Sequence, residues 1–168
     1  AFRTIQYAID QAQKRFISAG FKIRINVGNG THSEFSATGA SSTHIEVIGN
    51  TATPSSCIIT GMVGKPVVSA VRGSSLTVRG FKLTGGQNLV QVQDRSSITV
   101  SNIEFGLCPQ YQVVASTNSI IIFDGPCSVS GGAACFLVTA TGGFISAAFQ
   151  TFRFMTTVNY STCTVWAN

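Results

Sequence analysis

Charge is what this 168-residue chain has least of: eleven basic and six acidic side chains make up 10% of it, against roughly a quarter in ordinary soluble domains. The basic residues are scattered from Arg3 to Arg153 without a run. That excludes the concentrated basic stripe of a nucleic-acid-binding domain. Leucine is scarce too, five residues against sixteen valines and fifteen isoleucines. β-Branched side chains suit pleated surfaces, so this imbalance excludes a helical bundle. No uninterrupted apolar run reaches the ~20 residues that a transmembrane helix needs. Even the uncharged stretch from 125 to 152 is broken by Ser128, Ser130, Gly131, Gly132, Gly142 and Gly143, so no membrane span is expected. Disorder is excluded by a mean hydropathy of +0.30.

Paired cysteines are missing as well. The five present, Cys57, Cys108, Cys127, Cys135 and Cys163, form no CxxC and no Cys/His ligand spacing. Buried free thiols and assembly in a reducing cytoplasm are therefore expected, with no structural metal. His32 and His44 flank a loop carrying Glu34, but no helix fixes these three groups for a metal, and no cofactor is expected. The chain opens at Ala1 without Met or a signal peptide and is expected to be part of a longer protein, with residues 1–168 forming one domain.

Against these absences stand two periodic patterns. Ile5, Ala8, Ile9, Ala12 and Phe16 recur at helical spacing behind Thr4, a suitable N-cap, so 1–20 is expected to hold one amphipathic helix. Residues 21–27 then alternate strictly and end at Gly28-Asn29-Gly30, a strand followed by a turn. The remainder repeats. Ser75-Leu76-Thr77-Val78, Ser97-Ile98-Thr99-Val100 and Ser119-Ile120-Ile121-Ile122 align at offsets of 22. The same offset aligns Ala70, Val92 and Val114; Leu83, Phe105 and Cys127; and the turn residues Gly80, Asn102 and Asp124. Looser copies surround them: Ile45-Glu46-Val47-Ile48 at an offset of 31 with a loop inserted at 51–56, and Gly143-Phe144-Ile145-Ser146 at 24. Short strands joined by tight turns in a 22-residue unit predict an all-β fold. It is a right-handed single-stranded parallel β-helix, with coils over 21–168 and the helix of 1–20 as its cap.

Stacked coils place like residues beside like, so a charge repeated at one position would repel its neighbour. Neutral Ser, Thr and Val columns avoid that cost, which accounts for the low charge. An offset of 22 sets Arg72 beside Asp94 and Lys82 beside Glu104, two expected ion pairs. At the far end, Phe144, Phe149, Phe152, Phe154, Tyr160 and Trp166 have no capping helix after them and are expected to meet partner subunits or further chain.

Phe2-Arg3-Thr4-Ile5-Gln6-Tyr7-Ala8-Ile9-Asp10, Ile23-Arg24-Ile25-Asn26-Val27 leading to Gly30-Thr31-His32-Ser33-Glu34, Ile45-Glu46-Val47-Ile48-Gly49 and Ile58-Ile59-Thr60-Gly61 follow one another over the first 60 residues. In order and spacing they resemble the opening of pectate-lyase-like right-handed β-helix proteins. Pectin methylesterases begin this way, as do many bacteriophage tail fibres and tailspikes. The resemblance implies the fold. It carries no catalytic residue across, because the positions matching the esterase motifs read Leu107-Cys108-Pro109-Gln110-Tyr111 and Ser130-Gly131-Gly132-Ala133-Ala134, without an acid.

The function expected on this basis is structural and recognitive: a module of a phage or prophage tail fibre or spike, on the virion, touching bacterial surface glycans. By analogy with phage spikes it would be a homotrimer among other tail proteins. Exposed Thr, Ser, Asn and Gln ladders would make the contacts, with Tyr7 or Tyr111 as stacking platforms. Two alternatives are kept, a polysaccharide depolymerase with a groove or inter-subunit site and a secreted or cell-surface adhesin. No enzyme activity is expected; were there one, Asp94 and Asp124 are the candidate catalytic acids.

Overall fold

The computed structural model describes residues 2–14, 22–39, 44–147 and 152–154. Over these the chain winds as a parallel β-solenoid of about 5 turns behind one short helix. The first coil holds β1 (Lys22–Asn26), β2 (Gly30–Ser33) and β3 (Phe35–Thr38), and the second β4 (His44–Ile48), β5 (Cys57–Gly61) and β6 (Val68–Val71). In the third, β7 (Ser75–Gly85) bends to serve two faces and β8 (Asn88–Val92) the other; β9 (Ser97–Phe105) and β10 (Tyr111–Ser116) repeat this in the fourth. The fifth contains β11 (Ile120–Phe123), β12 (Cys127–Val129) and β13 (Cys135–Ala140), and β14 (Phe144–Ser146) and β15 (Phe152–Phe154) begin a sixth. Three faces result. The first runs β1-β4-β7-β9-β11-β14, the second β2-β5-β7-β9-β12-β15, and the third β3-β6-β8-β10-β13.

The alternation in each strand decides what lies inside. Ile45 and Val47, Leu76 and Val78, Ile98 and Val100, and Ile121 and Phe123 point inward from the first face and are buried. Phe81 and Leu83 continue into Ile103 and Phe105 on the second, while Val68 and Ala70 continue into Val90 and Val92 on the third. Phe105 meets Phe136 edge-on with ring centroids 5.6 Å apart and Phe123 at 6.2 Å. Cys57, Cys108, Cys127 and Cys135 are buried free thiols. Burial pushes Cys108 and Cys127 up to about 11, which keeps both protonated and inert.

The 22-residue step holds between the third and fourth coils, where Ser75 sits beside Ser97, Gly80 faces Asn102 and Lys82 sits beside Glu104. It lengthens afterwards. Ile120 partners Ser97 and Phe123 partners Val100, a step of 23; Cys127 partners Ile103 and Val129 partners Phe105, a step of 24. Ser119, Val114 and Asp124 are therefore not the partners of Ser97, Val92 and Asn102. Val92 faces Ala115, and the Asn102 amide donates to the Pro126 carbonyl at 2.8 Å. One extra residue enters in the loop 106–110 and another at Gly125-Pro126. The run Ile120-Ile121-Ile122-Phe123 is apolar throughout, so its alternation has no phase to reveal the slip.

The corner between the third and first faces is a column of paired left-handed residues. Arg72 and Gly73 (φ 59° and 78°), Asp94 and Arg95 (56° and 59°), Thr117 and Asn118 (54° and 57°) and Thr141 and Gly142 (49° and 76°) stack there. The Gly73 amide donates to Asp94 O at 2.9 Å and the Arg95 amide to Thr117 O at 3.0 Å. Arg72 and Asp94 are thus aligned as expected, yet their exposed side chains form no ion pair. A solvated pair gains only about 0–1 kcal/mol, too little to hold two side chains on a turn. Its absence therefore does not signal misaligned coils. A β-branched residue at positive φ is costly, so Thr117→Asn is expected to stabilise the chain by about 1 kcal/mol. Thermal unfolding monitored by circular dichroism checks this.

At the N-terminal end, helix α1 (Ile5–Gln13) lays Ile5, Ala8, Ile9 and Ala12 on the open cross-section. Thr4 caps it, its Oγ1 accepting from the Tyr7 amide at 3.1 Å. The helix also closes a strand edge. The Gln6 carboxamide donates to Ser36 O at 3.0 Å and accepts from the Ser36 amide at 2.7 Å, and Gln13 donates to Thr38 O at 2.8 Å. Side-chain amides thereby replace the neighbouring strand that β3 lacks. The helix closes at its C-cap Lys14, short of the Gly20 expected, and residues 15–20 lie outside the described residues, as do Phe149, Tyr160, Cys163, Trp166 and the side chains of Phe152 and Phe154. Among the described residues no helix is long and apolar enough to cross a membrane.

Candidate functional site

Stacking turns the outward residues of the first face into three rows. Lys22 pairs with His44, and Ser75 with Ser97 beyond it; Arg24, Glu46, Thr77 and Thr99 form the second row; Asn26, Ile48, Arg79 and Ser101 form the third. One end of this face is basic and the middle is lined with hydroxyls.

Glu46 is the hub of the basic end. Its side chain is only 5% exposed, while those of Lys22 and Arg24 are 61% and 63% exposed above it. Oε2 accepts from Arg24 Nε and Nη2, both at 3.2 Å, and Oε1 accepts from Lys22 Nζ at 3.4 Å. Arg79 Nη2 lies 3.7 Å from Oε1, and the buried Arg79 Nε has no hydrogen-bond partner. Burial alone would raise the Glu46 carboxyl, but the hydrogen bonds from Arg24 and Lys22 hold it below its ordinary value of 4.5. Beside it, His44 Nδ1 lies 2.8 Å from Ser75 Oγ and Nε2 lies 2.7 Å from Thr77 Oγ1. Burial, then the charge of Lys22, pushes this histidine below its ordinary 6.5, against the pull of Glu46, so the ring is neutral at pH 7. One ring nitrogen then donates and the other accepts, locking His44 into the hydroxyl rows.

On the second face, Glu104 carries the ion pair anticipated from the sequence: Lys82 Nζ lies 2.7 Å from its Oε1, which also accepts from Ser130 Oγ at 2.7 Å. Burial raises this carboxyl and the two hydrogen bonds more than offset that, leaving it below 4.5. A carboxyl depressed in the folded state stabilises fully above the unfolded value. That contribution is lost as pH falls through the folded value. The melting temperature is therefore expected to drop as pH falls below about 4.5. Glu104→Gln should flatten part of that drop in melts recorded from pH 3 to 6.

Asp94 and Asp124, the candidate catalytic acids, are both exposed and stand at opposite ends of the first face, one before β9 and the other after β11. They do not form a pair. His32 and His44 are not brought together with Glu34 either: His32 Nε2 lies 2.9 Å from Gly28 O, and no group of three His, Cys, Asp or Glu gathers among the described residues. Tyr7 is exposed and tilts against Phe2 at the helix end, 5.6 Å between centroids, whereas Tyr111 is half-buried. A cleft of about 620 Å³ opens between α1 and β1, floored by Ile5, Ala8, Ile23 and Ile25.

The basic hub was partly readable. Arg24 and Glu46 are 22 apart like Lys82 and Glu104, but the insertion at 51–56 hides Arg79, which reaches Glu46 from 33 residues away. Comparison with protein-family models, with curated proteins and with solved structures finds no match. The fold itself is a parallel β-solenoid consistent with the pectate-lyase-like superfamily.

Proposed function

We propose that the chain is a rigid recognition module of a phage or prophage tail fibre or spike, presenting the first face to a bacterial surface glycan. The observation that carries this reading is the set of half-buried outward hydroxyls Ser75, Ser97 and Thr99, fixed on adjacent strands about 4.8 Å apart, with Thr77 buried beside them and bonded to His44. Sugar hydroxyls need donors and acceptors. Here these are held by the sheet before any ligand arrives, so little ordering entropy opposes binding. Stacked coils also make a stiff rod, suited to keeping a contact surface away from its anchor.

Calorimetry with capsular and lipopolysaccharide preparations from a panel of bacteria tests the reading. Binding to at least one, weakened about tenfold by Ser97→Ala with Thr99→Ala at unchanged melting temperature, supports it. No binding across the panel withdraws it. Light scattering on the complete chain tests the trimer, which a stable monomer would contradict. Release of reducing or unsaturated ends from a bound glycan would favour a depolymerase instead.

A further inference from the structure

The chemical class of the glycan follows from the basic end of the same face, an argument that rests on the recognition reading above. Three permanent cations, Lys22, Arg24 and Arg79, surround one carboxylate, leaving two positive charges unmatched. Their arrangement is layered. Glu46 lies beneath, 5% exposed, and the cationic heads of Lys22 and Arg24 lie above it, so solvent meets positive charge.

None of the three cations is saturated. Charge-assisted N–H···O contacts settle at about 2.7–2.9 Å, and the Lys82–Glu104 pair of this same chain reaches 2.7 Å. Around Glu46 the separations are 3.2, 3.4 and 3.7 Å, and Arg79 Nε is left with no partner at all. One carboxylate is stretched among three donors. No second acid stands on this part of the face: Asp10 is bonded to Gln6 on the helix, Glu34 lies between β2 and β3, Glu104 is on the second face, and Asp94 and Asp124 are at the corners. Histidine 44, neutral and tied to Ser75 and Thr77, adds no negative charge.

In a chain with so few charges, gathering three cations around one carboxylate, two from the first coil and one from the third, runs against the neutral columns found elsewhere. Three cations drawn to one carboxylate also repel one another. An anion seated over Lys22, Arg24 and Arg79 would relieve that repulsion, and the guanidinium forks match planar or tetrahedral oxyanions. We propose that the Lys22–Arg24–Arg79 cluster binds the anionic substituent, carboxylate or phosphate, of a glycan whose neutral hydroxyls lie along Ser75, Ser97 and Thr99.

The test measures binding of the full chain to three polymers: neutral dextran, alginate as a uronate polymer, and a glycerol-phosphate teichoic acid. At least one charged polymer is expected to bind ten or more times more tightly than dextran, with an affinity that falls as salt screens the cluster. Arg24→Gln with Arg79→Gln should remove that preference, while Lys82→Gln, on another face, should leave it. Should the double variant unfold, Lys22→Gln with Arg24→Gln, both at exposed side chains, makes the same test. Equal binding of dextran and both charged polymers, or a preference that survives folded double variants, overturns the anion site and leaves glycan recognition standing. Binding to none of the three, nor to any polysaccharide of the wider panel, overturns the recognition reading and the anion site with it.

Discussion

Ile121→Asp is expected to unfold the chain, and Ile120→Asp to leave it folded. Ile121 has no exposed surface and stacks on Ile98, while Ile120 is half-buried and turned outward beside Ser97. The aspartate at 121 loses the burial of a large aliphatic side chain, about 2–5 kcal/mol. It also places an unpaired carboxylate in the core, which costs several kcal/mol more or forces its protonation. Together these approach the whole stability of a domain, typically about 5–15 kcal/mol. A uniform 22-residue step makes the reverse prediction, with Ile120 inside. Urea unfolding of the two variants separates the registers.

Gln112→Leu is expected to cost about 2–5 kcal/mol although it exchanges a polar core residue for an apolar one of similar size. Gln112 is completely buried, and its Nε2 donates to Gly106 O at 3.0 Å and to Gly131 O at 2.8 Å. These carbonyls belong to corners of adjacent coils that pack very closely, since a Cβ built at Gly131 would collide with the backbone of Gly106 and Leu107. Leucine would leave the buried Gly106 carbonyl and the part-buried Gly131 carbonyl without this donor, at about 1–3 kcal/mol each. Gln112→Glu should destabilise similarly at neutral pH, because a carboxylate cannot donate to either carbonyl. A melting temperature unchanged in Gln112→Leu would show that water or another group satisfies them.

These two residues mark where the sequence is legible and where it stops being so. Alternation and repetition sufficed for the solenoid because Leu76, Val78, Ile98 and Val100 differ sharply from the Ser and Thr between them. The helix was legible from Thr4 and the spacing of Ile5, Ala8, Ile9 and Ala12. Register failed where the pattern carries no phase, at Ile120-Ile121-Ile122-Phe123, and where corner loops gained residues without changing the strands they join. The Lys82–Glu104 pair was found because offset and facing agree; Arg72 and Asp94 shared the offset but stand on a solvated turn. Gln112 was invisible, since its partners are backbone carbonyls that no side-chain pattern reveals. For the basic site, Arg24 and Glu46 lay in plain register, but the contribution of Arg79 depends on how the loop at 51–56 is excluded from the stack.

Ligand recognition is proposed for the outward side of the first face, and backbone amide NMR tests that most directly. On titration with a surface polysaccharide that binds, the amides of Lys22, Arg24, Ser75, Thr77, Ser97 and Thr99 are expected to shift together, while those of Ser69, Gln91 and Val114 on the third face stay in place. Shifts centred on the third face, with the first face unmoved, would contradict it.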